Sequence, residues 1–100
     1  MLSSANGDKS FQLEFSAAIA EALRHLQRRA SREGRGAGFL SALRKMVVRL
    51  RTDPTEFGES LYRLPALRMQ IRCAVVRPLV VHFGVCEDRP LVFIKTVSLI

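Results

Sequence analysis

The sequence contains no tryptophan, a single tyrosine and two cysteines among its 100 residues. No CxxC or His/Cys ligand spacing occurs, so the sequence indicates neither a metal site nor a cofactor. No apolar run approaches the roughly 18 residues that a membrane-spanning segment needs. The first ten residues, MLSSANGDKS, lack the apolar core of a signal peptide. These absences predict a cytoplasmic protein with no membrane partner.

The two cysteines, Cys73 and Cys86, fall in runs that are typical of neighbouring strands. Two interpretations remain open, a disulfide between the strands or a pair of buried thiols. Reduced thiols are the rule in cytosolic proteins. The predicted location therefore favours free thiols.

Acidic residues are scarce, with nine Asp plus Glu against sixteen Lys plus Arg and a net charge of +7. A polyanion is the natural partner of such a surface, either a nucleic acid or a protein with an acidic segment. The alternative is ordinary solvation by arginine. Since 48% of the residues are apolar and 25% are charged, the chain has the composition of a globular domain.

Three β-prone runs follow one another in the last third of the chain. Residues 67–75 alternate apolar and polar side chains, whereas 79–85 and 91–97 are apolar enough to be buried on both faces. The links between these runs have three to five residues, and parallel strands need a longer crossover. The pattern predicts a meander of three antiparallel strands.

Upstream, residues 11–15 alternate as a short strand and are followed by two amphipathic helices, 17–32 and 36–52. Ser16 is a suitable N-cap for the first helix, and Asp53-Pro54 should end the second. We therefore predict an α+β fold of order β-α-α-β-β-β, with a helix hairpin packed on a small, mainly antiparallel sheet. Residues 1–10 should form a flexible tail and 11–100 a single domain. The side chains expected in the core are Met69, Ile71, Val81, Phe83 and Phe93, packed with Leu43 and Val47.

Three segments resemble the RelE/ParE superfamily of toxins from type II toxin–antitoxin modules: FQLEFS, DPTEFGESLYRL and QIRCAVVR…VHFGV…LVFIKTV. The resemblance covers residues 11–97. It implies an antitoxin as protein partner, and ribosome-bound RNA or gyrase as target. The superfamily includes ribonucleases, gyrase-directed toxins and members without demonstrated activity.

The ribonucleases of this superfamily use basic residues on the sheet, which must stabilise charge on a phosphate. Arg68 and Arg72 are similar to the family's basic second-strand residues, and Arg77 to the Arg that opens its third strand. Side chains two apart share a strand face, so Arg68, Gln70 and Arg72 should point the same way. The family's C-terminal basic and aromatic positions are missing, since the last strand is followed only by Ser98-Leu99-Ile100. This departure argues against ribonuclease activity.

The candidate catalytic residues are Arg68, Arg72, Arg77 and His82, and each has a simpler alternative. Arginines in the positions of Arg68 and Arg72 more often form the solvated face of a strand than a phosphate-binding site. His82 should lie on the side opposite Val81 and Phe83, where it can act as an acid or base or simply pack. Tyr62, the only tyrosine, is expected to anchor the segment after the second helix onto the sheet.

The helices carry a second basic signal, nine Lys or Arg from residue 24 to residue 51 against the single acid Glu33. This surface could bind nucleic acid or an acidic antitoxin segment. The residues expected to contact such a partner are Arg24, Arg28, Arg44, Arg49, Arg68 and Arg72. Together these features predict a toxin-fold protein that acts by binding more than by catalysis. The alternatives are a ribosome-dependent endoribonuclease and a non-toxic interaction protein that retains the fold.

Overall fold

A computed structural model describes residues 10–100, which form two helices and five strands. The elements are β1 (Gln12–Glu14), α1 (Ala17–Arg32), α2 (Gly36–Thr52), β2 (Glu59–Leu64), β3 (Met69–Val76), β4 (Leu79–Cys86) and β5 (Leu91–Leu99), with 3₁₀ turns at Pro54–Glu56 and Pro65–Leu67. The predicted flexible tail lies outside the described residues, apart from Ser10. The predicted fold class, a helix hairpin on a small, mainly antiparallel sheet, is confirmed.

Both helices have the predicted bounds. The Ser16 hydroxyl caps α1 by accepting a hydrogen bond of 3.2 Å from the Ile19 amide. The chain reverses at Gly34, whose φ of +75° lies in the left-handed region that favours glycine. α2 ends at Thr52, because Pro54 disfavours helical geometry at the preceding residue.

The sheet has the strand order β1-β5-β4-β3-β2. β1 runs parallel to β5, with Leu13 paired with Val92, and every other neighbouring pair is antiparallel. The four predicted strands are present to within two residues at each end. Within residues 10–100, the first and last strands therefore lie side by side at one side of the sheet.

β2 is a strand that the sequence did not predict, in the segment between the helices and the meander. It forms the edge beside β3, with a register shift between Ser60 and Tyr62. Gly58 makes the approach possible, because its φ is +72° and a Cβ there would lie 2.1 Å from the Cys73 carbonyl oxygen. A side chain at this position would push the edge strand away from β3.

The main core lies between the helices and one face of the sheet. It combines α2 side chains with the inward side chains of β3, β4 and β5, and it includes Phe39, Met46, Leu50, Phe57, Ala74, Leu79, Val81, Phe83, Val85 and Val92. The predicted burial of Val81 and Phe83 is confirmed. Leu43 packs against this cluster, and Val47 is half-buried.

The predicted facing of the side chains in β3 and β5 is wrong by one residue. In β3 the helix-facing side chains include Arg72 and Ala74, which pair with Phe83 and Val81, so Ile71 is buried on the opposite face. Phe93 also lies on that face and is 36% exposed. The alternating apolar side chains of β3, such as Ile71, therefore lie on the face that points away from the helices. There they are covered by neighbouring side chains of the sheet.

Among residues 10–100, neither helix combines the length and the apolar character needed to cross a membrane.

Candidate binding surfaces

The face of the sheet that points away from the helices, here called the open face, carries a mixed polar and aromatic surface. Register places Glu59, Cys73, His82 and Thr96 in one row across four strands. His82 lies opposite in direction to Val81 and Phe83, as predicted. Its Nδ1 is 3.1 Å from the Thr96 hydroxyl, a contact that fixes the ring while its tautomer sets which atom donates.

Tyr62 and Lys95 form a pair that spans the open face. The Lys95 ammonium donates to the Tyr62 hydroxyl at 3.2 Å and lies 5.7 Å from the centre of the ring. Tyr62 is nevertheless 48% exposed. Lys95 reaches this position because the β4–β5 register shifts between His82 and Phe83, which leaves Lys95 as the extra residue of β5.

These side chains surround a shallow depression of about 360 Å³. Its lining consists of Leu61, Tyr62, Ile71, His82, Lys95 and Thr96. The combination of an exposed aromatic ring, a cation and an imidazole suits a single-stranded nucleic acid, whose bases stack and whose phosphates carry charge. The sequence prediction missed Tyr62 and Lys95 as site residues. The single tyrosine is a visible signal in the sequence, but its neighbours Leu61 and Leu64 favour a packing anchor.

Gly84 fixes the shape of the open face next to this depression. A Cβ at Gly84 would lie 2.3 Å from the Met69 sulfur, so Met69 and Ile71 pack directly over the glycine. This close approach explains why Ile71 is buried although it points away from the helices.

Arg72 does not form part of the open face, and the structure does not place it where the predicted phosphate or partner contact would be exposed. The side chain is 7% exposed. Its Nε donates to the Phe57 carbonyl at 3.0 Å, Nη2 to the Gly58 carbonyl at 3.0 Å, and Nη1 to the Gln70 side chain at 3.1 Å. The guanidinium therefore holds the Phe57–Gly58 segment, which leads into β2, against β3.

Arg68 and Arg77 flank β3 at its two ends. Arg68 precedes the strand with a left-handed φ of 49°, so it does not continue the row of Gln70 and Arg72 as predicted. Arg77 is exposed in the turn to β4. At about 3.3 Å per residue, the intervening strand separates these two backbones by about 25–30 Å. The three arginines thus do not converge on a single phosphate.

The predicted partner-contact arginines of α1, Arg24 and Arg28, both lie close to a carboxylate. Glu21 accepts a 2.6 Å hydrogen bond from Arg24 and lies 3.9 Å from Arg28. The hydrogen bond from Arg24, followed by its charge, holds the pKa of Glu21 below its ordinary value. This part of the helix surface is therefore less positive than the count of basic residues suggests.

A second cationic feature is a groove between α2 and the edge of the sheet, here called the α2 groove. It has a volume of about 440 Å³ and is lined by Arg44, Lys45, Val48, Arg49, Phe57 and Val76. The Arg49 guanidinium lies 4.8 Å from the centre of the Phe57 ring. It also donates to Asp53 at 2.8 Å, and this hydrogen bond lowers the pKa of Asp53.

The α2 groove brings together Arg44 and Arg49 from the predicted partner contacts, and its lining does not include Arg24 or Arg28. Among residues 10–100, Arg44 and Lys45 have no carboxylate within 4.0 Å. The sequence prediction missed Lys45, Val48 and the contribution of the sheet. Spacing on α2 could have indicated Val48, but only the fold brings the sheet residues beside it.

Cys73 and Cys86 are free thiols that do not face each other, since Cys73 pairs with His82 and Cys86 with Met69. Within the described part of the chain, no three His, Cys, Asp or Glu side chains are grouped as metal ligands.

No protein-family model matches the sequence, and no curated protein matches it significantly. The resemblance to RelE/ParE toxins stays a prediction.

Proposed function

We propose that this chain is a cytoplasmic RelE/ParE-like toxin-fold protein of a type II toxin–antitoxin module. It acts by binding a macromolecular target, and a cognate antitoxin neutralises it. The chemistry of the open face supports single-stranded RNA as that target. The observation that carries the proposal is the exposed Tyr62 ring paired with the Lys95 ammonium, on a sheet face that neither helix of residues 10–100 covers.

The physical basis is the joint presence of a stacking surface and a cation. An aromatic side chain contributes about 1–3 kcal/mol for each base stacked on it. The Lys95 ammonium, 5.7 Å from the ring centre, lies where the phosphate of a stacked nucleotide can reach it. The net charge of +7 adds attraction that does not depend on sequence.

Binding rather than catalysis is favoured because the expected catalytic arginines are dispersed. Cleavage of RNA requires activation of a ribose hydroxyl and stabilisation of charge on one phosphate. Arg72 is fastened to main-chain carbonyls, while Arg68 and Arg77 lie at opposite ends of β3. The family's phosphate-binding arrangement is therefore not assembled by these residues.

Fluorescence anisotropy with a labelled, unstructured RNA of about ten nucleotides tests the proposal. Tyr62→Ala should weaken binding about 5- to 150-fold, which is the loss of one stacked base. Lys95→Ala should weaken binding and reduce its salt dependence. Lys45→Ala removes an equal charge from the α2 groove and serves as the matched control.

Equal losses in Lys95→Ala and Lys45→Ala would mean non-specific attraction and contradict the proposal. Expression of wild type and Tyr62→Ala in cells then measures toxicity. Growth arrest that Tyr62→Ala relieves would support a toxin. Specific RNA binding without growth arrest would instead favour the non-toxic interaction protein, and inhibition of gyrase without RNA binding would favour gyrase as target.

A ribosome-dependent endoribonuclease is the second candidate, and one observation favours it. His82, held by Thr96, lines the same depression as Lys95, so one shallow site contains a proton-transfer group and a cation. General acid–base assistance of this kind contributes about 10²–10⁴-fold to rates. Primer extension on translated messenger should then show codon-phased cuts that His82→Ala removes and Arg77→Ala keeps.

A further inference from the structure

The α2 groove combines an apolar floor with a rim of cations. Val48, Phe57 and Val76 form the floor, and Val48 is 57% exposed. Arg44, Lys45 and Arg49 form the rim. Exposed apolar surface bordered by charge is typical of a site for another chain.

We propose that the α2 groove binds an acidic amphipathic helix of a protein partner. The inference rests on the proposed function for the existence of such a partner, the antitoxin. The position of the site and the chemistry of its ligand rest on the groove itself. Two apolar side chains one helical turn apart would enter the groove, and flanking carboxylates would meet the rim.

The dimensions of the groove agree with a helical ligand. Its lining on α2 runs from Arg44 to Arg49, five steps that cover about 7.5 Å of helix axis. Side chains at positions i and i+4 of a partner helix are separated by about 6 Å along its axis. Two such anchors therefore fit along the groove, in the manner of other helix-in-groove complexes.

Charge complementarity selects an acidic partner over an apolar or basic one. Arg44 and Lys45 have no carboxylate within 4.0 Å among residues 10–100, so both are available to a ligand. The Arg49 guanidinium already contacts Asp53 and the Phe57 ring, so its main role is to form one side of the groove. A basic or neutral segment would leave the two available cations without compensation.

The test uses the full chain and a designed, fluorescein-labelled helical peptide that carries leucines at i and i+4 with flanking glutamates. Saturable binding is expected at about 50 mM salt. Val48→Glu places a carboxylate on the groove floor and should weaken binding by about tenfold or more. Leu40→Glu, an equal change on α2 outside the lining, should leave the affinity within about twofold.

A second pair of variants separates specific from general attraction. Arg44→Glu should weaken binding and reduce its salt dependence, whereas Arg51→Glu, on the same helix outside the lining, should do neither. Raising the salt to about 500 mM should slow association more than it speeds dissociation, since rim charges chiefly guide encounter. Circular dichroism checks that each variant is folded.

Amide chemical shifts give an independent location. The peptide should perturb Lys45, Val48, Phe57 and Val76 and should bind Tyr62→Ala as well as wild type, whatever the outcome of the RNA experiment. No saturable binding, equal losses in Arg44→Glu and Arg51→Glu, or shifts centred on the open face would overturn the inference. RNA that displaces the peptide would assign the groove to nucleic acid and would also overturn it.

Discussion

Replacing Arg72 distinguishes a structural arginine from a phosphate-binding one. The guanidinium donates to the main-chain carbonyls of Phe57 and Gly58, both at 3.0 Å, and is 7% exposed. Arg72→Ala would leave the buried end of this turn without its donor. It would also remove the contact that holds the start of β2 against β3.

The expected loss of stability follows from these contacts. An unsatisfied buried carbonyl costs about 1–3 kcal/mol, and only the Phe57 residue is buried, because Gly58 is open to water. Loss of packing by the arginine stem adds about 1 kcal/mol. The free energy of unfolding should therefore fall by about 2–4 kcal/mol. For a domain of this size, the melting temperature should fall by about 10–30 °C.

Thermal melting followed by circular dichroism measures the effect. Arg72→Lys should recover only part of the stability, because an ammonium lacks the planar fork that serves two carbonyls. Arg77→Ala, at an exposed arginine just after β3, should change the free energy of unfolding by no more than about 0.5 kcal/mol. An Arg72→Ala variant that melts like wild type but loses RNA binding would refute the structural role and restore the phosphate contact.

Phe83→Ala should lower the free energy of unfolding by about 3–5 kcal/mol in urea titrations, since Phe83 is 0% exposed and stacks on Phe57 with ring centres 5.9 Å apart. Phe93→Ala, on the open face, should cost clearly less, and equal costs would contradict the assignment of the two faces. The side-chain hydrogen bond from Arg63 and its charge hold the pKa of Glu87 below its ordinary value of 4.5. Because the folded-state pKa is the lower one, the ion pair stabilises the fold above about pH 4.5 and loses this effect as the pH falls through the folded-state pKa. Urea titrations from pH 6 to pH 3 should show that acid lowers the free energy of unfolding less in Glu87→Gln than in wild type. An unchanged pH dependence would mean that the Arg63–Glu87 pair does not stabilise the fold.

The helices were predictable because their limits depend on local chemistry. Ser16 caps α1 through its own hydroxyl, and Pro54 ends α2 through its own ring. Hairpin links and apolar runs likewise predicted β3, β4 and β5. β2 could not be predicted this way, because five of its six residues are exposed and show no alternation. Its position depends on Gly58 meeting the Cys73 carbonyl, a contact between distant segments.

The candidate sites were less accessible to sequence reasoning for a related reason. The partners of Arg72 are main-chain carbonyls, which no side-chain pattern records. Tyr62 on β2 and Lys95 on β5 are far apart in sequence and meet across β3 and β4, so only the strand order reveals their contact. Charge counting identified the basic helices. It could not show that Arg24 forms an ion pair with Glu21, whereas Arg44 is available to a ligand.

The parallel pairing of β1 with β5 has a consequence for the order in which the fold assembles. The hairpins β3–β4 and β4–β5 close short loops, whereas β1 must find a strand from the far end of the described chain. Closing the larger loop costs more chain entropy before any contact compensates it. We expect the meander of β3, β4 and β5 to form early. β1 should pair with β5 late, after the helices have packed on the sheet. Because β1 has only three residues, it is also the strand most readily released from the native state.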